Sequence, residues 1–185
     1  MKKMFLALAL TAISTVAVAD SYTIDPAHTY PNFTINHLGF STMHGRFDET
    51  KGTLMLDREK GTGSVEIVVD MASVNTGFKK RDDHLRSPDF FNVGEFPEMT
   101  FKSTKVEFVG KGAKVTGDLT IKGVTKSVVL DVNSINCGVH PFNKKTVCGF
   151  GATTSIKRSD FGIKYGLPAI GDDINITLEA EAVKN

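Results

Sequence analysis

The sequence predicts an all-β domain closed into an antiparallel barrel, and three observations carry that expectation. Segment after segment alternates apolar and polar residues with period two, the mark of a strand with one buried face. Short, charged, glycine-bearing stretches separate these segments and suit hairpin turns. After residue 20 no long helical period appears.

The first residues are expected to be a leader. Lys2 and Lys3 make a positive start, Met4 to Val16 is mostly apolar, and Ala17-Val18-Ala19 before Asp20 is a small-residue cleavage site. Residues 1–19 therefore read as a bacterial secretory signal peptide. Their apolar run is shorter than the about 20 residues a membrane-spanning helix needs, so integral insertion is not expected. Residues 20–185 are then one domain, placed in the periplasm. The whole chain carries 22 Lys and Arg against 21 Asp and Glu, formally +1, and losing Lys2 and Lys3 with the leader makes it −1. That balance argues against nucleic acid or an anionic membrane as a broad partner, since either needs a basic surface.

About eight strands are expected, at 21–25, 31–38, 43–56, 64–75, 99–109, 113–122, 126–135 and 148–158, with a last one at 173–183. In 31–38, Phe33, Ile35 and His37 share one face. The 43–56 run offers Met43 and Phe47. "SVEIVVDM" (64–71) sets Val65, Ile67, Val69 and Met71 against Ser64, Glu66 and Asp70. Phe101 belongs to the 99–109 strand. "KVTGDLTI" (114–121) puts Val115, Leu119 and Ile121 on one side, and "SVVLDV" (127–132) does so with Val128, Leu130 and Val132. "INITLEAEAV" (174–183) sets Ile174, Ile176, Leu178, Ala180 and Ala182 against Asn175, Thr177, Glu179 and Glu181. "REKGTG", "GKG" and "KGVTK" supply the turns. The hairpin order favours an up-and-down barrel over a sandwich, which would need longer crossovers.

One stretch departs from this rhythm. "KKRDDHLRSPDFFNVGEFPEMTF" (79–101) packs Lys79, Lys80, Arg81, Asp82, Asp83, His84 and Arg86 directly before Phe90, Phe91 and Phe96. A helix of one or two turns across one barrel end would send Leu85, Phe90 and Phe91 into the bore and leave the charges in water. A solvated loop with Phe91 and Phe96 tucked into the core fits the same residues. Cys137 and Cys148 have ten residues between them, and in an oxidising compartment they read as a disulfide closing a loop.

Five motifs, in order, carry a resemblance: "DPAHTYPNFTINHLGFSTMHGRF" (25–47), "RDDHLRSPDFFNVGEFPEMTFKS" (81–103), "GDLTIKGVTKSVVLDV" (117–132), "RSDFGIKYG" (158–166) and "IGDDINITLEAEA" (170–182). Together they resemble the YceI-like family of lipocalin-like polyisoprenoid-binding proteins. The resemblance implies an extended eight-stranded antiparallel lipocalin-like barrel with a short helical cover segment. It also implies an apolar pore holding an isoprenoid or other long-chain amphiphile, of the polyprenyl phosphate or quinone class, for transport or storage. His28, Phe33, His37, Phe47, Arg81, Asp82, Leu85, Phe90, Phe91, Pro97, Phe101 and Phe161 fall on the matching motifs.

Together these readings name Phe33, Ile35, His37, Met43, Phe47, Val69, Arg81, Leu85, Phe90, Phe91, Phe101, Leu119 and Leu130 as the candidate ligand-binding set. At about 0.8 kcal/mol per buried CH₂, such a pore binds a prenyl chain without specific contacts. His37, facing inward, needs a hydrogen-bond partner, either a head group or a structural carboxylate. Arg81 is set to meet a diphosphate or to remain a solvated charge. An eight-stranded barrel can also be filled by its own side chains, which would leave an interaction module with a protein partner. No motif for a nucleophile elbow, zinc protease, phosphate loop or dinucleotide site is present. Catalysis, a metal and a cofactor are therefore not expected, and a homodimer is left open.

Overall fold

The computed structural model describes residues 19–185; the signal-peptide reading of residues 1–19 lies almost wholly outside them. In chain order the strands are β1 (Asp20–Ile24), β2 (Tyr30–His37), β3 (Ser41–Phe47), β4 (Thr50–Asp57), β5 (Thr62–Asp70) and β6 (Val74–Asn75). After them come the helix α1 (Lys79–Arg86) and then β7 (Glu98–Val109), β8 (Gly112–Ile121), β9 (Val124–Val139), β10 (Thr146–Lys157) and β11 (Ile170–Lys184).

All eleven strands form one antiparallel sheet, and its β11–β1 pairing makes it a closed barrel of eight strand positions. Five positions are single strands, β7 to β11. The other three are strands broken in the middle. β1 and β2 follow one another along β11, with Ile24 opposite Ala182 and Tyr30 opposite Glu179. β3 and β4 share the next position and are separated at Asp48 and Glu49. β5 and β6 are separated by a 3₁₀ turn at Met71–Ser73. The single strand expected over 43–56 is thus two strands along one path, because the upper half pairs with β2 and β6 and the lower half with β1 and β5.

Side chains mend these breaks. The Thr29 hydroxyl donates to the Glu181 carbonyl at 3.4 Å and accepts from the Glu181 amide at 3.2 Å, across the gap after β1. The Asp70 carboxylate caps the 3₁₀ turn by accepting from the Ala72 amide at 2.8 Å.

β6 does not pair with β7, and α1 with the following segment occupies that gap. Asp82 in the first turn and Arg86 in the last complement the helix dipole, while Lys79, Lys80 and Arg81 in the first turn oppose it. Lys79 pairs with Asp83 at 2.6 Å, one turn apart. Arg86 fastens α1 to the broken strand through bonds to the carbonyls of Ala72 (2.8 Å) and Val74 (2.9 Å). Ser87 ends the helix, its amide donating to the His84 carbonyl at 3.0 Å.

At the opposite, lower end, Cys137 and Cys148 face each other across β9 and β10 and form a disulfide. Cys148 is fully buried with Tyr22, Ile24, Leu54 and Ala182. The last residue, Asn185, donates from its backbone amide to the Ser21 carbonyl at 3.0 Å, so the first and last strands share a seam.

Candidate ligand cavity

The bore is neither one tunnel nor filled: it holds two cavities. The upper has a volume of about 300 Å³ and opens near α1. The lower has about 90 Å³ and lies toward the disulfide end.

Nine of the thirteen candidate residues come together on the upper cavity: Phe33, Ile35, His37, Met43, Phe47, Arg81, Leu85, Phe90 and Phe91. β2 and β3 bring the first five through their register, in which Ile35 sits opposite Met43 and Phe33 opposite Gly45. A side chain at Gly45 would collide with the Phe33 ring, so the glycine lets that ring lie flat along the wall. The rings of Phe33 and Phe47 stand 5.8 Å apart and those of Phe47 and Phe91 5.7 Å apart, an aromatic line from strand to cover. Leu130 lies instead on the lower cavity. Val69, Phe101 and Leu119 border neither cavity and are buried between the two.

The cover reading of residues 79–96 describes what is found. Leu85, Phe90 and Phe91 turn to the cavity, while Lys79, Lys80 and Asp83 stand in water. Phe96 is half-buried instead against the β8–β9 turn at Gly123. Asp82 departs from the expected solvated rim: it is buried, and its carboxylate accepts from both the amide and the hydroxyl of Thr76. Arg81 bonds the same residue, donating from Nε to Thr76 Oγ1 and from Nη2 to Thr76 O, both at 2.7 Å. Thr76 thereby fixes the Arg81 guanidinium at the cavity while Nη1 carries no protein bond among the described residues. His37 is half-buried on the cavity, and no carboxylate meets its ring among the described residues.

A second loop, between β10 and β11, completes the mouth. Tyr165 stacks edge-on to His84 with ring centres 5.1 Å apart and lies 5.2 Å from Phe90, bridging loop and cover. His84 also meets Asp89 at 3.0 Å. Arg158, buried at the loop's start, holds it by four bonds: Nε to the Gly171 carbonyl (2.8 Å), Nη1 to Ile163 (3.1 Å) and Tyr165 (2.9 Å), and Nη2 to Ile170 (3.1 Å). Burial pulls the Arg158 pKa below its ordinary value, and the charge of Asp172 opposes that pull. Sequence reasoning passed over Arg158 and Tyr165 as lining residues. It also left out Ile174 and Ile176, which line the cavity and which the alternation of the last strand had already put on one face. Leu38, Phe40, Phe78 and Tyr165 are exposed around this end of the barrel.

Among the described residues, Asp25, His28 and Glu181 bring potential metal-ligand atoms within 4.8 Å of one another. His28 is exposed and already bonded to Asp25 at 2.8 Å. Among the described residues no helix is long and apolar enough to cross a membrane.

The chain is similar to known proteins over nearly its whole length. The YceI-like domain matches residues 22–182. Protein YceI of Escherichia coli is 37% identical over 190 residues, covering 100% of this chain and 99% of that protein. A UPF0312 protein of Pseudomonas paraeruginosa is equally similar, at 37% over 190 residues. Among solved structures, BcnA of Burkholderia cenocepacia superposes with a TM-score of 0.77 at 25% identity, over 85% of this chain and 98% of that one. The YceI protein of Campylobacter jejuni gives 0.71 at 34% identity, over 82% and 90%. A polyisoprenoid-binding domain from Saccharophagus degradans shares the fold, with a TM-score of 0.64 at 18% identity over 91% and 100%. With its barrel, its cover and these relatives together, the chain belongs to the YceI-like family.

Proposed function

We propose that this protein binds an isoprenoid-type amphiphile of the polyprenyl phosphate or quinone class, tail in the upper cavity and head at the mouth, and stores or transfers it in the periplasm. The observation that carries the reading is a cavity of about 300 Å³ walled by Phe33, Ile35, Phe47, Leu85, Phe91 and their neighbours. Apolar burial at about 0.8 kcal/mol per CH₂ favours any long tail there, offset in part by the cost of ordering it. Among the polar groups that meet the cavity with spare hydrogen-bonding capacity are His37, the Nη1 of Arg81, and the buried Arg158, whose four bonds leave one N–H over. Each can donate to a carbonyl or phosphate oxygen, and the two guanidinium groups do so with charge assistance. The exposed apolar side chains at this end suit a carrier that takes its cargo from a membrane. The relative from Saccharophagus degradans is described as polyisoprenoid-binding, which agrees with this reading. No catalytic step is assigned.

Protein purified from a bacterial periplasm, examined by native mass spectrometry and organic extraction, should carry one amphiphile per chain. Protein that arrives empty and takes up no added prenyl lipid would overturn the reading.

A further inference from the structure

On β5, β7 and β8 a layer of side chains separates the two cavities, whereas on β11 the consecutive inward residues Ile176 and Leu178 line the upper and the lower cavity in turn. On β5 and the turn after it, the inward Val69 falls between Met71 on the upper cavity and Ile67 on the lower. On β7, Phe101 falls between Met99 above and Val106 below. On β8, Leu119 falls between Ile121 above and Val115 below. Val69, Phe101 and Leu119 are 2%, 6% and 7% exposed. They are also neighbours by register, with Phe101 opposite both Ile67 and Leu119 and Val69 opposite Met99.

Phe101 is the largest of the three, and its ring has a prepared seat. A Cβ placed on Gly117 would fall on the Phe101 ring and 2.6 Å from the Lys102 carbonyl oxygen, so the ring occupies the space that the missing side chain leaves. A tail descending from the mouth therefore meets the Phe101 layer before it reaches the lower cavity, which is lined by Leu54, Phe108, Leu130, Ile135, Phe150 and Ala152 among others.

We propose that this layer, and Phe101 above all, is the floor of the ligand chamber and sets the longest tail the protein accepts. The proposal rests on the amphiphile reading above and adds a specificity determinant to it. Phe101 acts as a ruler: short linear prenyl chains fit above it, longer ones must fold back or leave carbons at the mouth. Removing its ring joins the lower cavity to the upper and lengthens the chamber.

The test is a series of linear prenyl alcohols (geraniol, farnesol, geranylgeraniol and longer homologues), with Kd measured by displacement of an environment-sensitive alkyl probe. In the natural protein, affinity should rise with each isoprene unit and then level off. In Phe101→Ala the levelling should move by at least one unit, with the first alcohol past the natural limit bound roughly tenfold more tightly. Phe101→Leu, a milder change, should shift it the same way by less, and serves if the alanine variant folds poorly. Adding Ala152→Leu, which fills the lower cavity, to either variant should abolish the gain. The same levelling point in both Phe101 variants, with short alcohols still bound, overturns the ruler alone. So does a gain that survives Ala152→Leu. A natural protein that binds no alcohol of any length overturns the amphiphile reading and the ruler with it.

Discussion

Two threonines of the barrel wall are fully buried, and their hydroxyls have opposite fates. Thr29 and Thr50 are both 0% exposed. Thr29 bonds both backbone groups of Glu181, whereas Oγ1 of Thr50 is buried with no partner among the described residues. A satisfied buried hydroxyl contributes about 1 kcal/mol, and an orphaned one costs desolvation with no return. Thr29→Val should therefore lower stability by about 1 kcal/mol, while Thr50→Val should leave it unchanged or raise it. Urea unfolding of the two variants side by side checks both signs. His28 gives a pH effect of known direction. Its hydrogen bond to Asp25, then the charges of Asp25 and Glu181, raise its pKa above the ordinary 6.5. A raised folded pKa means stability that is fully present below the unfolded value and lost as pH rises through the folded one. His28→Gln should thus weaken the protein more at about pH 5 than at about pH 8. A stability difference that does not change between those conditions would remove His28 from the account. Asp25 is lowered in turn, first by its bond from His28, so its own share fades only on the acid side.

At the scale of elements, two short segments build the mouth on a regular sheet, and they differ in how they are held. The cover α1 is pinned by Arg86 and by the Thr76–Asp82 contacts, the β10–β11 loop by Arg158 through four carbonyls and by Ser159 on the Asp172 carboxylate. Arg158→Met would strand those carbonyls in a buried place, so a loss of about 3 kcal/mol or more is expected, read as a lowered urea midpoint. Amphiphile retention per folded molecule should fall as well, because Tyr165 rides on that loop against His84 and Phe90. The sequence pattern exposed these elements unevenly. Strands such as 64–70 and 174–183 declared themselves because period two is a local property of each. The break after Phe47 did not, because it comes from which neighbours the upper and lower halves meet. Arg158 looked like one more charge beside Ser159 and Asp160, and only the loop returning over it makes it a buried post. Alternation names the face a side chain points to but not its depth along the bore. Val69, Phe101 and Leu119 therefore read like Phe33 and Ile35, although they lie a layer below the cavity.

For the whole molecule, the two ends of the barrel are held differently. The upper end is open, roofed by α1 and loops. The lower end is tied by the disulfide, which joins directly opposed residues of β9 and β10, and by the packing of Cys148 against β1, β4 and β11. Reducing the bridge, or replacing both cysteines by serine, should cost about 2–3 kcal/mol by the loop-closure estimate, seen as a lower melting temperature. Prenyl-lipid affinity should stay the same, since the bridge lies at the far end from the upper cavity. A loss of affinity in folded, bridge-free protein would mean that the two ends are coupled.

The pairing of β1 with β11 carries a consequence for how the chain acquires its shape. Zipping hairpins from β7 to β10 needs only near neighbours, but the cylinder cannot shut until the final segment has been made and has travelled back to the first. Until then the greasy lumen and two raw edges stand open to other molecules. The most hazardous moment in this protein's life thus falls late, just before its last strand finds its first.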